Sequence, residues 1–364
     1  MQTELVVLSH LRWTFVWQRP QHIISRLARD RRTWFVEEPF VCDVESPRLR
    51  TEEHGAVTRV WLEVPGDGHA GFDHRCARGY AEAVKELLGP STDRTVWLYT
   101  AMALEMADVL GPSTLVYDVM DDLASFKDAP AEQRLRHRQT LRRADVVFTG
   151  GRSLYKGVMA HRPNATHLFA SGVEREHFAP ASALRPLHRP APVAGYVGVI
   201  DERVDLDLLG ELAGALPDWE IRVVGPVVKI DPASLPQAPN LVYPGPAPYP
   251  QLPEVMAGFD VALMPFALND ATRSISPTKT LEYFAAGLPV VSTRVPDVVA
   301  DHGAHVHLAD NGAGFAAACH RARRRPAAAR ADIEAVVRRN TWDSIAARMT
   351  EVLDGADSAV KVMA

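Results

Sequence analysis

Residues 276–293 read Ser-Pro-Thr-Lys-Thr-Leu-Glu-Tyr-Phe-Ala-Ala-Gly-Leu-Pro-Val-Val-Ser-Thr, and this is the most informative stretch of the chain. Ser276 is a favourable N-cap and Pro277 suits the first helical position, while Gly287 suits the position just after a helix ends. The apolar run after Gly287 is typical of a buried strand. The stretch therefore predicts a short capped helix that leads directly into a strand of a parallel sheet.

The predicted helix carries polar groups that suit a phosphorylated ligand. The N–H groups at the start of a helix can bind an anion. Lys279 and Glu282 share one helix face, because they are three residues apart. The ammonium then lies near the phosphate end, and the carboxylate one turn further along can accept both hydroxyls of a ribose. Ser276, Thr278, Lys279 and Glu282 are therefore candidate nucleotide ligands, and the alternative is an ordinary amphipathic helix with an exposed Lys–Glu pair.

The longer pattern Lys-x-x-Glu-Tyr-x-Ala-x-Gly-x-Pro-Val-Val, which starts at Lys279, resembles the donor-site helix of retaining glycosyltransferases of family 4. That family has the GT-B fold, and the resemblance implies that Glu282 binds the donor ribose. Many members carry a second glutamate eight positions earlier, near the donor sugar, where this chain has Ser274. The surrounding segment offers Asp270 and Arg273 instead and is similar to bacterial polysaccharide glycosyltransferases of the teichuronic acid type. The group that contacts the sugar stays open.

Length and composition narrow the class of protein. The 364 residues are 47% hydrophobic and 23% charged, which fits two globular domains. The scattered Cys42, Cys76 and Cys319 form no disulfide-like or metal-like spacing, so we expect a reducing, cytoplasmic compartment. No stretch reaches the ~20 apolar residues that span a bilayer. The formal net charge of -5 argues against a nucleic-acid partner.

Two arginine-rich stretches, at 134–143 and 321–325, stand out against the acidic net charge. Such stretches are usually solvated helix faces. The alternative is peripheral contact with an anionic membrane at its inner face, which would suit a lipid-linked acceptor.

Strand-like and helix-like segments alternate through both halves of the chain, which predicts two doubly wound parallel sheets. Residues 179–193 contain four prolines and no apolar period, as in an interdomain linker. We therefore expect an α/β protein with two Rossmann-like domains, at 1–180 and 190–341. By resemblance to the GT-B fold, the acceptor binds the first domain, the donor binds the second, a cleft separates them, and a C-terminal crossover helix at 342–364 packs back onto the first domain.

Glycosyl transfer from a nucleotide sugar requires stabilisation of a departing diphosphate by a metal or by fixed cations. Fixed cations are favoured here, with no metal and no cofactor. The Asp-x-Asp triplet at 205–207 precedes a run of leucines, so Asp205 is expected to cap a helix. Gly198 ends a buried strand where a phosphate loop should lie. Arg203 and Lys229 follow at the same edge, although the family commonly has a basic residue where this chain has Val199.

The first half offers candidate acceptor and sugar contacts. The loop after the first strand is rich in polar and aromatic residues, and Trp17 suits stacking on a sugar. His10 and Arg19 suit contacts with hydroxyls or phosphate, and the alternative is a loop held by buried tryptophans. Asp118 closes another strand and is a candidate base or hydroxyl ligand. Gly172 lies in a passage, Gly-Val-Glu-x-x-x-Phe, that resembles the end of the first domain in family 4, with Glu174 in place of aspartate.

These observations predict a glycosyltransferase that moves a sugar from a nucleoside-diphosphate donor, of the UDP or GDP type, to a hydroxyl of a glycan, lipid-linked or small-molecule acceptor. Retention of anomeric configuration is implied by the resemblance alone. Lys279, Arg203 and Arg273 would stabilise the diphosphate. The alternatives are a GT-B-fold sugar-nucleotide epimerase, an inverting transferase, or a non-catalytic sugar-nucleotide-binding subunit of a glycan assembly complex.

Overall fold

The computed structural model describes residues 4–15, 17–67, 70–72, 76–123, 131–186, 188–324 and 327–363. The side chains at 131, 327–330 and 357–363 lie outside that description. The chain divides into two compact units. The first contains Met1–Ala170 and Asp343–Ala364, and the second contains Ser171–Trp342.

The first unit is built on a largely parallel sheet that has nine strands in the described part of the chain. The strands are β1 (Glu4–Ser9), β2 (Arg32–Glu37), β3 (Phe40–Cys42), β4 (Arg48–His54), β5 (Val57–Pro65), β6 (Arg94–Leu98), β7 (Thr114–Val119), β8 (Val146–Thr149) and β9 (Thr166–Leu168). Their order is β3-β5-β2-β1-β6-β7-β8-β9, and β4 pairs antiparallel with β5 at one edge. The central strands are buried on both faces, which explains their continuous apolar sequences.

Helices cover the first sheet. They are α1 (Arg19–Leu27), α2 (Ala77–Leu88), α3 (Leu104–Leu110), α4 (Ala131–Arg143), α5 (Arg152–Met159) and, at the end of the chain, α14 (Trp342–Met363). The first part of α14 is tied to the N-terminal region by ion pairs. Asp343 pairs with Arg26 and Arg29 at 3.0 and 3.3 Å, and Asp354 pairs with Arg31 at 2.8 Å.

The second unit contains a parallel sheet of order β12-β11-β10-β13-β14-β15 within the described residues. The strands are β10 (Val193–Val197), β11 (Glu220–Val224), β12 (Leu241–Gly245), β13 (Val261–Met264), β14 (Val290–Ser292) and β15 (His307–Leu308). The helices are α6 (Arg175–Phe178), α7 (Pro180–Leu184), α8 (Leu206–Ala215), α9 (Leu252–Ala257), α10 (Lys279–Ala285), α11 (Pro296–His302), α12 (Gly312–Arg323) and α13 (Ala327–Arg339). Separate apolar cores fill the two faces of this sheet.

The stretch at 276–293 forms a helix and a buried strand, and the helix begins later than the sequence predicts. Helix α10 begins at Lys279, and Thr278 precedes it in a helical conformation without a side-chain cap, so the prediction that Ser276 is the N-cap is wrong. The physical reason is a tight first turn, in which Thr280 and Leu281 donate to the carbonyls of Pro277 and Thr278. These bonds engage N–H groups that were predicted to be available for binding an anion.

The end of α10 follows the prediction closely. Gly287 has φ +69°, which is the left-handed conformation expected of a residue just after a helix. Its N–H donates to the Phe284 carbonyl, and the Leu288 N–H donates to the Tyr283 carbonyl, both at 2.9 Å. This is a Schellman motif. It turns the chain into β14 within three residues and so fixes the helix against the sheet.

Two further local features bear on the sequence predictions. Asp205 caps α8, because its carboxylate accepts from the Leu208 N–H at 2.9 Å. This bond confirms the structural interpretation of the Asp-x-Asp triplet. Within the proline-rich segment 179–193, the structure has the short helix α7, whose Ala181 is fully buried.

Candidate functional site

Two glycines form the backbone of the candidate site at the carboxyl edge of the second sheet. Gly198 follows β10, and Gly225 follows the neighbouring β11. A Cβ at Gly225 would overlap the Gly198 carbonyl oxygen, so the two loops pass in direct backbone contact. Only Gly198 was picked out from the sequence. Gly225 ends the next strand, and parallel pairing of β10 with β11 is the signal that joins them.

Lys279 extends over Gly198, because a Cβ at Gly198 would overlap the Lys279 Cε and the Tyr196 hydroxyl. Helix α10 is held in this position by Tyr283, which is fully buried and whose hydroxyl accepts from the Val197 N–H at 2.9 Å. Burial raises the pKa of Tyr283 well above its usual value, so the hydroxyl stays protonated. The end of β10 and the start of α10 therefore form one rigid unit around Gly198.

The Lys279 ammonium and the Glu282 carboxylate are half-buried. Neither forms an ion pair or a side-chain hydrogen bond with any residue in the described part of the chain, and they do not pair with each other. Withdrawing a charge from water without a protein partner is unfavourable. A ligand with anionic oxygens and hydroxyls would supply the missing partners, so these two side chains are the strongest candidates for donor contacts.

Arg203 lies at the same edge but is engaged by a neighbour in its own loop. Its Nε and Nη2 donate to the Asp201 carboxylate at 2.9 and 2.6 Å, and its backbone N–H also donates to Asp201. The Arg203 carbonyl accepts from Ala267 N–H, which joins this loop to the segment after β13. The guanidinium is thus placed near the candidate site with its charge largely balanced by Asp201, a pairing that sequence reasoning missed.

The remaining donor candidates are less enclosed. Arg273 pairs with Asp270 at 2.6 Å, and both side chains are about three-quarters exposed, at 73% and 74%. Their loop is joined to the Arg203 loop, because Asn269 donates to the Glu202 carbonyl at 2.9 Å. Lys229 has φ +62° and follows a segment in which Val228 N–H donates to Ile200. The structure therefore brings Arg203, Arg273 and Lys229 to the edge that carries Gly198.

In the first unit, Arg19 and Asp118 form a buried ion pair. The guanidinium donates to both carboxylate oxygens at 3.1 Å and to the Phe169 carbonyl at 2.7 Å, and the two side chains are 4% and 0% exposed. Burial raises the pKa of Asp118, while Arg19 and the Tyr99 hydroxyl oppose that rise. The pair fixes the start of α1 against the carboxyl ends of β7 and β9, and neither side chain is open to a ligand in this structure.

His10 lies just after β1 and is held in the neutral form. Burial lowers its pKa to about 4, although a hydrogen bond with the Tyr99 backbone opposes that shift. Its Nδ1 atom is buried without a hydrogen-bond partner among the described residues. A neutral imidazole with one unused ring nitrogen can accept or donate a hydrogen bond.

The aromatic loop after β1 is partly open. Trp17 is 40% exposed, and its Nε1 donates to the His22 Nδ1 at 3.0 Å. The Trp17 ring also makes an edge contact with the buried Trp13, with ring centroids 5.9 Å apart. Trp17 therefore has a fixed edge and an accessible surface, as a stacking platform requires.

The passage that begins at Gly172 packs inside the second unit. Gly172 is buried and does not take a positive φ, and the next residue, Val173, pairs with Thr341 in an isolated bridge. Glu174 accepts from the Tyr249 hydroxyl at 2.7 Å. The His177 ring stacks on Tyr249 at 4.3 Å with an interplanar angle of 8°. Sequence reasoning missed this cluster.

Solved structures of similar proteins give the fold of the chain, and one region of the chain matches a family model. Solved structures superpose over nearly the whole chain: a sucrose-phosphate synthase from Thermosynechococcus elongatus has a TM-score of 0.69 at 15% identity and covers 98% of this chain and 100% of its own. An α,α-trehalose 6-phosphate synthase from Burkholderia multivorans has a TM-score of 0.70 at 14% identity and covers 100% and 98%. The chain has the GT-B fold.

Within this GT-B protein, residues 191–324 match the family model of glycosyl transferases group 1. The match contains Gly198, Arg203, Lys279 and Glu282. The Bacillus subtilis (strain 168) protein TuaH, named as a teichuronic acid biosynthesis glycosyltransferase, is 29% identical over 195 residues. That alignment covers 50% of this chain and 49% of TuaH, so it spans about half of either protein.

Metal-binding clusters, membrane-spanning helices and the charge of the basic helix α4 bear on the other predicted features. Among the residues with described positions, no group of three or more His, Cys, Asp or Glu side chains is placed to hold a metal ion. No helix in the described ranges is long and apolar enough to cross a membrane. In the basic helix α4, Arg136 pairs with Glu105 and Glu132, and Arg143 pairs with Asp108, so part of its charge is already balanced.

Proposed function

We propose that this GT-B protein transfers a sugar from a nucleoside-diphosphate donor to a hydroxyl acceptor, with retention of anomeric configuration and without a metal. The observation that carries the proposal is Lys279 beside Gly198, with Glu282 three residues further along α10. Both side chains are half-buried, and neither has a hydrogen-bond or ion-pair partner in the described part of the chain. Both residues lie within the region that matches glycosyl transferases group 1. A further solved structure, E. coli trehalose-6-phosphate bound with UDP-2-fluoro glucose, superposes on this chain with a TM-score of 0.67 at 13% identity, which supports a nucleotide-sugar donor.

The proposed donor contacts follow from the chemistry of each group. The diphosphate lies against the loops at Gly198 and Gly225, where the absence of side chains allows close backbone approach. Lys279 neutralises charge on the phosphates, and Glu282 accepts hydrogen bonds from the ribose hydroxyls. Arg203 contributes when a diphosphate competes with Asp201 for its guanidinium. Thr278, Ser276, Lys229 and Arg273 border this position.

The proposed transfer needs no enzymic nucleophile. The bond between the sugar C1 and the phosphate oxygen breaks, and the acceptor oxygen forms a bond to C1 on the same face. The acceptor proton passes to the departing phosphate oxygen. Lys279 stabilises the charge that develops on the diphosphate, which is the largest effect that fixed groups supply in such a reaction.

The first unit is proposed to bind the acceptor. Trp17 offers an aromatic face, and His10 offers a neutral ring nitrogen at the carboxyl edge of the first sheet. Arg19 and Asp118 act there as positioning residues, because their ion pair holds the start of α1. TuaH is named for teichuronic acid biosynthesis, which supports a glycan acceptor.

A thermal-shift screen of UDP, GDP and their sugar conjugates tests the donor assignment. We expect one nucleotide diphosphate to raise the melting temperature of the wild-type protein and of Glu254→Gln, an exposed control on α9. Glu282→Gln should weaken that stabilisation, because an amide replaces one acceptor of the ribose hydroxyls with a donor. Equal stabilisation of Glu282→Gln and Glu254→Gln would contradict the ribose role.

A further inference from the structure

A cavity lies at the amino edge of the second unit's sheet, the edge opposite the candidate donor site. It has a volume of about 510 Å³, within the range of small-molecule sites. Its wall includes the residues that lead into β13 and β14, together with the C-terminal ends of α10 and α12. Helix α10 therefore has Lys279 at the candidate donor site and Phe284 at this cavity, about 8 Å apart along the helix.

The cavity carries more arginines than carboxylates. Arg175, Arg185 and Arg323 line it, against Asp260 and Glu334. Glu334 accepts from Arg175 at 3.1 Å. Arg185 donates to the Ala286 carbonyl at 3.1 Å, which places its guanidinium at the C-terminal end of α10.

The Asp260 carboxylate is hydrogen-bonded to groups that do not line the cavity. It accepts from the Val193 N–H at 2.8 Å and from Arg189 at 3.2 Å. Arg323 is 3.9 Å from the same carboxylate, beyond hydrogen-bonding distance, and its side chain is 54% exposed. The positive charge of Arg323 is thus only weakly compensated, and the cavity favours an anion.

One part of the cavity wall is apolar. Phe284, Ile333 and Val337 line the cavity, and all three are buried within the core on that face of the sheet. Inorganic phosphate would leave this wall without a partner. A ligand with both an anionic group and a flat apolar part would contact the arginines and the wall together.

We propose that this cavity binds a small phosphorylated molecule, with the phosphate at Arg185 and Arg323 and an apolar or aromatic part against Phe284, Ile333 and Val337. Arginine matches phosphate because its planar fork donates two parallel hydrogen bonds. The site is separate from the donor position at the other end of α10 and does not depend on the proposed transfer reaction.

Phenyl phosphate is a suitable probe because it joins the two required parts, and calorimetric titration of the full chain measures its affinity. We expect saturable binding that is weaker for inorganic phosphate and for phenol. Arg323→Ala should lower the affinity about tenfold or more, whereas Arg321→Ala, an exposed neighbour on α12 outside the cavity, should not. Equal affinities for Arg323→Ala and Arg321→Ala would overturn the proposal.

Two further variants keep the test independent of folding. Arg185→Gln removes the charge while keeping a donor for the Ala286 carbonyl, and it should weaken phenyl phosphate. Ser182→Trp, at an exposed lining position, should block the cavity without changing its charge. If phenyl phosphate instead competes with a nucleotide diphosphate and is lost in Lys279→Ala, it binds at the donor position and the proposal is overturned.

Discussion

The Lys279 side chain crosses directly over Gly198, so that a single methyl group on Gly198 would overlap the Lys279 Cε. The residues are far apart in sequence, and Tyr283 joins their elements through its bond to Val197. A substitution at Gly198 therefore tests the donor site without removing any of its side chains.

Gly198→Ala is expected to displace Lys279 and to lower the affinity for the donor nucleotide about tenfold or more. Gly198 has φ +157°, which alanine rarely adopts, so circular dichroism and thermal unfolding must show that the variant folds before the affinities are compared. Gly214→Ala is the matched control, since that glycine lies in α8 with open space around its Cα. Nucleotide titrations of both variants provide the measurement, and an unchanged affinity in Gly198→Ala would contradict the proposed contact.

Tyr283→Phe should destabilise the second unit by about 1–3 kcal/mol, because the Val197 N–H would be left buried without an acceptor. Hydrogen exchange of second-unit amides measures this loss locally. Tyr243→Phe is the control, because its hydroxyl bonds the Pro236 carbonyl at a half-buried position and should have a smaller effect. If the free energy of opening is the same in Tyr283→Phe as in the wild type, the hydrogen bond from Val197 does not fix α10.

Asp118→Asn should destabilise the first unit by about 3–5 kcal/mol, because it leaves the buried Arg19 guanidinium without a compensating charge. The exposed pair of Asp270 and Arg273 provides the comparison, and Asp270→Asn should cost less than about 1 kcal/mol. Hydrogen exchange measures both losses locally, in first-unit amides for Asp118→Asn and in second-unit amides for Asp270→Asn. Similar small effects would show that Asp118 is free for a role in ligand binding.

His10 gives the first unit a specific pH dependence. Its folded-state pKa of about 4 lies below the ordinary value of 6.5, so the unfolded chain binds the proton more readily between these two values. Stability should therefore fall as the pH decreases from 6.5 towards 4, by up to about 1.4 kcal/mol for each pH unit. His10→Gln should lose this component in melting curves across that range. A His10 NMR titration midpoint near 6.5 would contradict the assignment.

The sequence predicted the alternation of strands and helices well where burial dictates the pattern. Strands such as β1 and β7 are buried on both faces and carry continuous apolar runs. Strand β4 was missed because it is a mostly exposed edge strand of polar residues, and hydrogen bonding to β5 rather than burial holds it in place. The pattern of apolar residues along the sequence does not reveal an exposed edge strand of this kind.

The part of the candidate site that lies in a single local segment was predictable from the sequence. Lys279 and Glu282 share a short helix, so their spacing alone indicated a common face. The partners of Arg203 and Asp118 were not predictable in the same way. Asp118 and Arg19 are 99 residues apart and meet only because of the strand order, and Arg203 bonds a neighbour two residues away through a loop conformation. Tertiary structure therefore decides which charges are already compensated.

Lys279→Ala tests the charge at the diphosphate separately from binding. We expect kcat to fall on the order of 100-fold, with a smaller loss of donor affinity, because the ammonium is needed most as the phosphate departs. Lys85→Ala, an exposed lysine of α2, should behave as the wild type. Equal losses in kcat and in affinity would place Lys279 in ground-state binding only.

The central claim is tested most directly by following the donor that stabilises the protein, with a panel of hydroxyl acceptors and with water alone, by time-resolved proton NMR. The proposal predicts enzyme-dependent release of the nucleoside diphosphate and a sugar product with the anomeric configuration of the donor. Nucleotide binding with no release under any of these conditions would contradict catalysis, and would favour a sugar-nucleotide-binding subunit instead.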